Sequence, residues 1–229
     1  MIDRLCSACS LSNEQARKIA AYHEMLLSAN RDMNLTRVPE DENEAVDRNY
    51  IDSLTLLKHI SAAASVIDVG SGAGLPGIPL SIALPETRFT LLDSQKKRVE
   101  FLKSVIDALH LNAEAAHGRA EDFARKPQYR DAFDFAVARA VAETRELCEL
   151  MLPFVKTGGY MLALKGPAAK DEVESAQNAI TELKGELSGV YDAVIPDRDW
   201  RHTVIKILKI APTPERYPRR AGVIEKRPL

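Results

Sequence analysis

The 229-residue chain is short of several features, and each shortage excludes something. Three cysteines make no disulfide framework, so a reducing cytoplasm is the expected compartment. Cys6 and Cys9 form a C-x-x-C pair, yet zinc needs about four ligands, and no second pair or clustered histidine supplies them. The pair reads as two incidental thiols, Cys148 reads as a core residue among Leu147, Leu150 and Met151, and no metal is expected. No apolar run approaches the roughly 20 residues of a membrane helix, which argues against a membrane partner. The opening MIDRLCSACS also lacks the basic-then-apolar layout of a secretory signal. Internal repeats and low-complexity segments are missing.

What remains has the balance of an ordinary globular chain, 45% hydrophobic and 28% charged, sized for one α/β domain with a small appended piece. The net charge of −2 conceals an asymmetry. Residues 206–229 carry seven Lys/Arg against two Glu, a net +5, which leaves −7 for residues 1–205. A basic, proline-studded end on an acidic body suggests attraction to a polyanion; the alternative is a solvated tail that aids solubility.

The densest signal is VIDVGSGAGLPGIPL, residues 66–80. A short apolar strand carries Asp68, then Gly70, Gly72 and Gly74 alternate into a turn, and a helix begins near Leu75. Glycines at this spacing let the backbone approach a ligand closely, and a helix start is expected to leave free N–H groups aimed at it. Gly72-x-Gly74-x-x-Gly77 also satisfies the dinucleotide pattern, so the loop alone does not choose between cofactors. Asp68 suits a cationic methionine moiety, and Pro76 and Pro79 remove N–H donors that a pyrophosphate would want. Both favour S-adenosylmethionine over NAD. Asp93, ending the next strand, is placed for ribose hydroxyls in either case. The plain alternative is that Asp68 caps a turn and the glycines only make a bend.

Residues 1–60 read as a helical cap. Ser12 and Gln15 form a capping box for a helix to Met33, and Pro39 is expected to open a second helix running toward Ile60. From Val66 strands and helices alternate, with strands at 66–69, 88–92, 113–117, 133–139 and 160–165. Helices are expected at about 76–84, 94–110, 120–125, 143–152 and 168–184. ELSGVYDAVIP and RHTVIKILKI then follow as two strands without a helix between them, which makes them antiparallel neighbours. A mostly parallel seven-stranded, Rossmann-like α/β sheet closed by one antiparallel strand is the class I methyltransferase layout. The expected division is 1–60 cap, 61–211 methyltransferase domain and 212–229 basic tail.

Over nearly its whole length the chain resembles the bacterial 16S rRNA guanine-N7 methyltransferases once named glucose-inhibited division protein B. MNLTRV (33–38), DSL (52–54), DVGSGAGLPGIPL (68–80), LLDSQKKRVEFL (91–102), RAEDF (119–123), ARAVA (138–142), ALKG (163–166) and ERYPRRAG (215–222) carry the resemblance. One departure is Asn49, where that family often has His in RH-x-x-DS. The resemblance implies a cytoplasmic enzyme, expected to be monomeric, that uses S-adenosyl-L-methionine to methylate guanine N7 in 16S rRNA or the small ribosomal subunit. It places Gly70 and Leu75 along the cofactor, Asp93 on its ribose, Ala120 and Glu121 at its adenine, and Arg139 closing the site. Asp68, Ser71, Gly72, Gly74 and Ser94 complete the expected cofactor set. Glu121 also fits a helix-start acid, while a lone Arg139 ending a buried strand needs a partner or a role.

Guanine N7 has a lone pair and no proton, so alignment rather than a general base is required. Asn34, Asp52, Arg139 and Lys165 are the candidates that shape the substrate side. Asn34 also suits a turn and Asp52 a solvated helix face. RNA contacts are expected from Lys97, Arg98, Lys165, Arg201, Arg216, Arg219, Arg220, Lys226 and Arg227. Lys96 reads as exposed helix surface. The competing functions are an NAD(P)-dependent oxidoreductase, a non-catalytic RNA-binding module and a small-molecule methyltransferase.

Overall fold

Ser12 and Gln15 close the capping box that their spacing predicts: Ser12 N donates to Gln15 Oε1 at 2.9 Å and Gln15 N to Ser12 Oγ at 3.2 Å. In this computed structural model, which describes residues 1–33, 35–139 and 141–229, helix α2 (Asn13–Met33) starts there, preceded by α1 (Ile2–Cys9). Pro39 does not open the next helix. Asp41 does, because its carboxylate accepts the otherwise orphaned Glu44 N–H at 2.7 Å. Helix α3 (Glu42–Ala45) then widens into a π-helical turn, Val46–Ile51, before α4 (Asp52–Leu54) and a 3₁₀ turn over Thr55–His59.

The alternating segment forms β1 (Ser65–Val69), α5 (Gly77–Ala83), β2 (Arg88–Asp93), α6 (Lys96–Leu109), β3 (Ala113–His117), α7 (Ala120–Phe123), β4 (Phe133–Arg139), α8 (Thr144–Met151) and β5 (Val155–Lys165). Strand β5 begins five residues before the apolar run, since Val155 already pairs with Phe133. The helix expected over 168–184 breaks at Ala176 into α9 (Ala169–Ser175) and α10 (Gln177–Glu182). Strands β6 (Gly185–Ala193) and β7 (His202–Lys209) follow, then α11 (Ala221–Lys226) within the basic tail.

The seven strands lie in the order β3-β2-β1-β4-β5-β7-β6, with β7 antiparallel to both neighbours and the β1–β5 pairings parallel. This is the class I methyltransferase sheet that the two closing strands predict. The order in which the chain adds strands reverses between β1 and β4, and open α/β sheets bind ligands at that switch, beyond the carboxyl ends of the strands.

Side chains alternate across β1, so Val66 enters one core and Ile67 and Val69 the other. Leu5, Ile19, Tyr22 and Leu26 of the first two helices join Val66, Ile78 and Leu102 in a single buried cluster. The cap is therefore packed onto one face of the sheet. A charge clamp also holds it. Asp47, 1% exposed, accepts from Arg4 Nε at 3.0 Å and from Arg198 Nε of the β6–β7 connection at 2.7 Å.

The tail is docked rather than free. Arg219 reaches the fully buried Glu149 of α8 with its backbone N at 2.6 Å, Nε at 2.9 Å and a terminal guanidinium nitrogen at 2.6 Å. Arg130 donates to the carbonyls of Thr213 and Tyr217, at 2.7 and 3.0 Å. Lys209 is fully buried, donating to Asp131 at 3.0 Å and to Thr213 Oγ1 at 2.6 Å. Burial pulls its ammonium pKa down while Asp131 opposes that shift.

Candidate active site

Two cavities open at the carboxyl ends of β1, β2, β4 and β5. The first, about 300 Å³, is lined by Gly70, Asp93, Ser94, Ala120 and Glu121 from the expected cofactor set. Val69, Leu92, Arg98, Gly118, Arg119, Val141 and Leu150 complete its wall. Arg119 and Val141 stand inside the RAEDF and ARAVA stretches, so the motif neighbours of predicted residues were the signal for them. Ser71, Gly72, Gly74 and Leu75 shape the loop behind this wall without lining it. Arg98 was expected on RNA; it borders this cavity instead, 3.6 Å from Asp93.

The glycine loop corrects one expectation. Most of its N–H groups are not left free for an anion. Gly70 N and Ser71 N donate to Leu92 O at 2.8 and 3.0 Å, and Gly74 N and Leu75 N to Ser71 O at 2.7 and 3.1 Å. Gly72 N donates to Asp93 Oδ2 and Gly77 N to Asp68 Oδ2, both at 2.9 Å. The cause is local: the turn folds back on itself and on two carboxylates, which satisfies the donors that a helix start would otherwise expose. A pyrophosphate would meet no nest of N–H groups and two acids.

Positive φ of 75° and 57° at Gly70 and Gly72 makes the turn, and Gly77 has a different reason. A Cβ at Gly77 would lie 2.2 Å from Leu91 Cδ2 and 2.6 Å from Asp68 Oδ2, so only glycine lets α5 sit on the strand. Asp68 is fully buried beneath the loop rather than on the cavity wall, and its Oδ1 has no hydrogen-bond partner. Burial raises its pKa to about 7, opposed by the Gly77 N–H, the Ser71 hydroxyl and Arg139. A buried carboxyl with an unsatisfied oxygen calls for a donor or cation, which the ammonium of a methionine moiety provides. Asp93, 4% exposed, spends one bond on Gly72 N and one on Gln95 N, at 2.9 and 2.8 Å. Each carboxylate oxygen keeps a lone pair for a ribose hydroxyl. The residues present fit S-adenosylmethionine.

The second cavity, about 310 Å³, brings together Asp52, Arg139 and Lys165, three of the four candidates named for the substrate side. Thr36, Arg37, Arg48, Asn49, Leu164, Gly166 and His202 join them. Asp52 is not a solvated helix face: at 5% exposure it accepts from Arg139 at 3.3 Å, and its other oxygen lies 2.8 Å from His202 Nδ1. Arg139 also donates to Arg48 O at 2.7 Å, so the lone arginine at the strand end has partners. The π turn over Val46–Ile51 brings Arg48 and Asn49 to this wall, a local widening with no sequence signature of its own. Asn34 lies outside the described residues.

Lys165 is committed within the protein. Its Nζ donates to Ala142 O at 2.5 Å and pairs with Glu172 at 2.7 Å. Glu172 in turn accepts from Thr144 N at 2.9 Å and Thr144 Oγ1 at 2.7 Å. This cluster secures the connection that carries Val141, whose Cγ2 stands 3.0 Å from where a Gly70 Cβ would be. Of the other expected RNA contacts, Lys97, Arg201, Arg220, Lys226 and Arg227 are exposed. Arg216 is exposed but paired with Glu182, and Arg219 is held by Glu149.

A class I sheet with one cavity built for a nucleoside bearing a cationic side chain, and a second cavity opening beside it, defines a methyltransferase. The family model described as rRNA small subunit methyltransferase G matches residues 15–200. The chain belongs to this family. It is 47% identical over 211 residues to ribosomal RNA small subunit methyltransferase G of Thermoanaerobacter sp. (strain X514), covering 91% of this chain and 88% of that one. It is 42% identical over 226 residues to the protein of the same name in Leuconostoc citreum (strain KM20), covering 96% and 93%. Among solved structures it is similar in fold to a SAM-dependent methyltransferase from Aquifex aeolicus. That match has a TM-score of 0.55 at 17% identity and covers 75% of this chain and 95% of that one.

Proposed function

We propose that this enzyme transfers the methyl group of S-adenosylmethionine to N7 of a guanine in the 16S rRNA of the small ribosomal subunit. The family membership carries the reading, and the two cavities at the carboxyl ends of the strands support it. The bound cofactor supplies an electrophilic methyl group. From beneath the glycine loop Asp68 favours the cofactor's ammonium, and in the first cavity Asp93 accepts from its ribose hydroxyls while Ala120 and Glu121 border its adenine. In the second cavity Arg139 and Lys165 form wall, and Asp52 offers the carboxylate that favours the positive charge gained by the guanine ring. No proton leaves N7, so His202 orients Asp52 rather than acting as a base. Alignment of this kind lowers a barrier by roughly 7–11 kcal/mol.

The reading includes the division into a cap over 1–60, a methyltransferase domain over 61–211 and a basic tail over 212–229, acting as a monomer in the cytoplasm. Among the described residues no helix is long and apolar enough to cross a membrane. Mass mapping of small-subunit rRNA from cells with and without the gene tests the function. Loss of one 7-methylguanosine is expected; an unchanged modification map sinks the proposal.

A further inference from the structure

Four cations line the second cavity: Arg37, Arg48, Arg139 and Lys165. Three of them already have a carboxylate partner. Arg48 pairs with Glu44 at 3.1 Å and stacks 4.7 Å from the Trp200 ring centroid. Arg139 is shared between Asp52 and the Arg48 carbonyl, at 3.3 and 2.7 Å. Lys165 is held by Glu172 and Ala142 O, at 2.7 and 2.5 Å. Moving Arg139 or Lys165 onto a phosphate would leave a partly buried carboxylate without its counter-charge, which is expensive. Arg48 has an exposed carboxylate partner one helical turn away and the Trp200 ring, and both compete with a phosphate for it.

Arg37 differs. It is exposed at the cavity rim and has no ion pair or hydrogen bond among the described residues. Glu40, Asp41 and Glu44 share a neighbouring cavity with it on the other side. Asp41 caps Glu44 N at 2.7 Å and Glu44 takes Arg48 at 3.1 Å, so neither turns to Arg37. Those acids repel a polyanion from that flank and confine it to the side where Arg37 meets the base cavity. A nucleotide placing its base in this cavity must put a phosphate at the rim.

We propose that Arg37, the cation of this cavity with no carboxylate partner among the described residues, grips a phosphate flanking the target guanine, Lys165 being a positioning residue for the cofactor side. The inference rests on the RNA reading above. The test is an anisotropy titration of the full-length protein across a salt series. Its probe is a small-subunit rRNA fragment containing the guanine located by mass mapping, used with wild type, Arg37→Ala and Arg37→Lys. Arg37→Ala is expected to weaken binding by about tenfold at low salt. It should also reduce the slope of log affinity against log salt by about 0.7–1. Arg37→Lys keeps the charge and should restore the slope. S-adenosylhomocysteine affinity, equal in all three proteins, separates a lost contact from a lost fold. An Arg37→Ala slope equal to that of wild type overturns the inference while leaving the RNA reading intact. A wild-type protein that neither binds nor methylates the fragment overturns the RNA reading, and this inference with it.

Discussion

Replacing Arg219 by alanine removes three of the four hydrogen bonds that reach the Glu149 carboxylate and leaves only the backbone N–H at 2.6 Å. Glu149 is fully buried, so its charge would then have no counter-ion and no water. Stripping one partner from a buried pair costs about 3–5 kcal/mol. For a chain of this size each kcal/mol lowers Tm by roughly 2–4 °C, so Arg219→Ala should melt about 6–20 °C below wild type. Thermal and urea denaturation of the full chain measure this. The paired variant Arg219→Met with Glu149→Leu should recover most of the loss, because replacing both ions by apolar groups removes the desolvation problem together with the attraction. Below the melting range, the salt slope of RNA binding should match wild type, since the Arg219 charge is already spent on Glu149. An Arg219→Ala protein that melts within about 2 °C of wild type yet shows a flattened salt slope would refute the reasoning. Arg219 would then be a phosphate contact and the ion pair incidental.

Two further outcomes follow from the site. Burial lifts the Asp68 pKa from 3.8 to about 7, so between those values the folded chain holds a proton that the unfolded chain has released. Stability without cofactor should therefore fall as pH rises from about 4 to 7, by up to about 4 kcal/mol, and Asp68→Asn should abolish that slope in urea titrations. Cofactor affinity, which needs the ionised carboxylate, should rise over the same pH window in wild type and stay level in Asp68→Asn. An identical slope in both proteins counts against the assignment. Lys165→Met should loosen the Val141 cover and weaken S-adenosylhomocysteine binding about tenfold by calorimetry. Unchanged cofactor affinity with weakened RNA binding would return Lys165 to the role of phosphate contact.

The order of strands and the closing antiparallel pair were legible because each depends on short-range pattern: apolar runs, glycine punctuation and the absence of a helix between the last two strands. That Asp93 would stand beside a cavity at a strand end was legible for the same reason, whereas Ala120 and Glu121, which line the same cavity, came from the family resemblance. What escaped were consequences of partners distant in the chain. Nothing near Lys165 announces Glu172 as its counter-ion, and nothing near Arg219 announces Glu149. Charge counting thus credited the tail and strand end with free cations that packing had claimed. Arg37 and His202 were missed because the walls they line are assembled from the cap, β5 and β7 together. The N–H groups of the glycine loop were misjudged because a pattern of glycines specifies a bend and leaves the bend's own acceptors unstated.

The Asp47 clamp bears on how the molecule is made. One of its guanidinium partners, Arg198, follows it by 151 residues. At about 5–20 residues per second, a nascent chain carries Asp47 for roughly 8–30 s before that partner emerges. The residues lining the cofactor cavity run no further than Leu150, whereas the base-side cavity waits for His202. The second cavity's lining therefore begins to emerge before the first cavity's, at Thr36, and is the later of the two to be completed. A ribosome making this protein cannot present its own RNA to a finished active site until His202 has emerged.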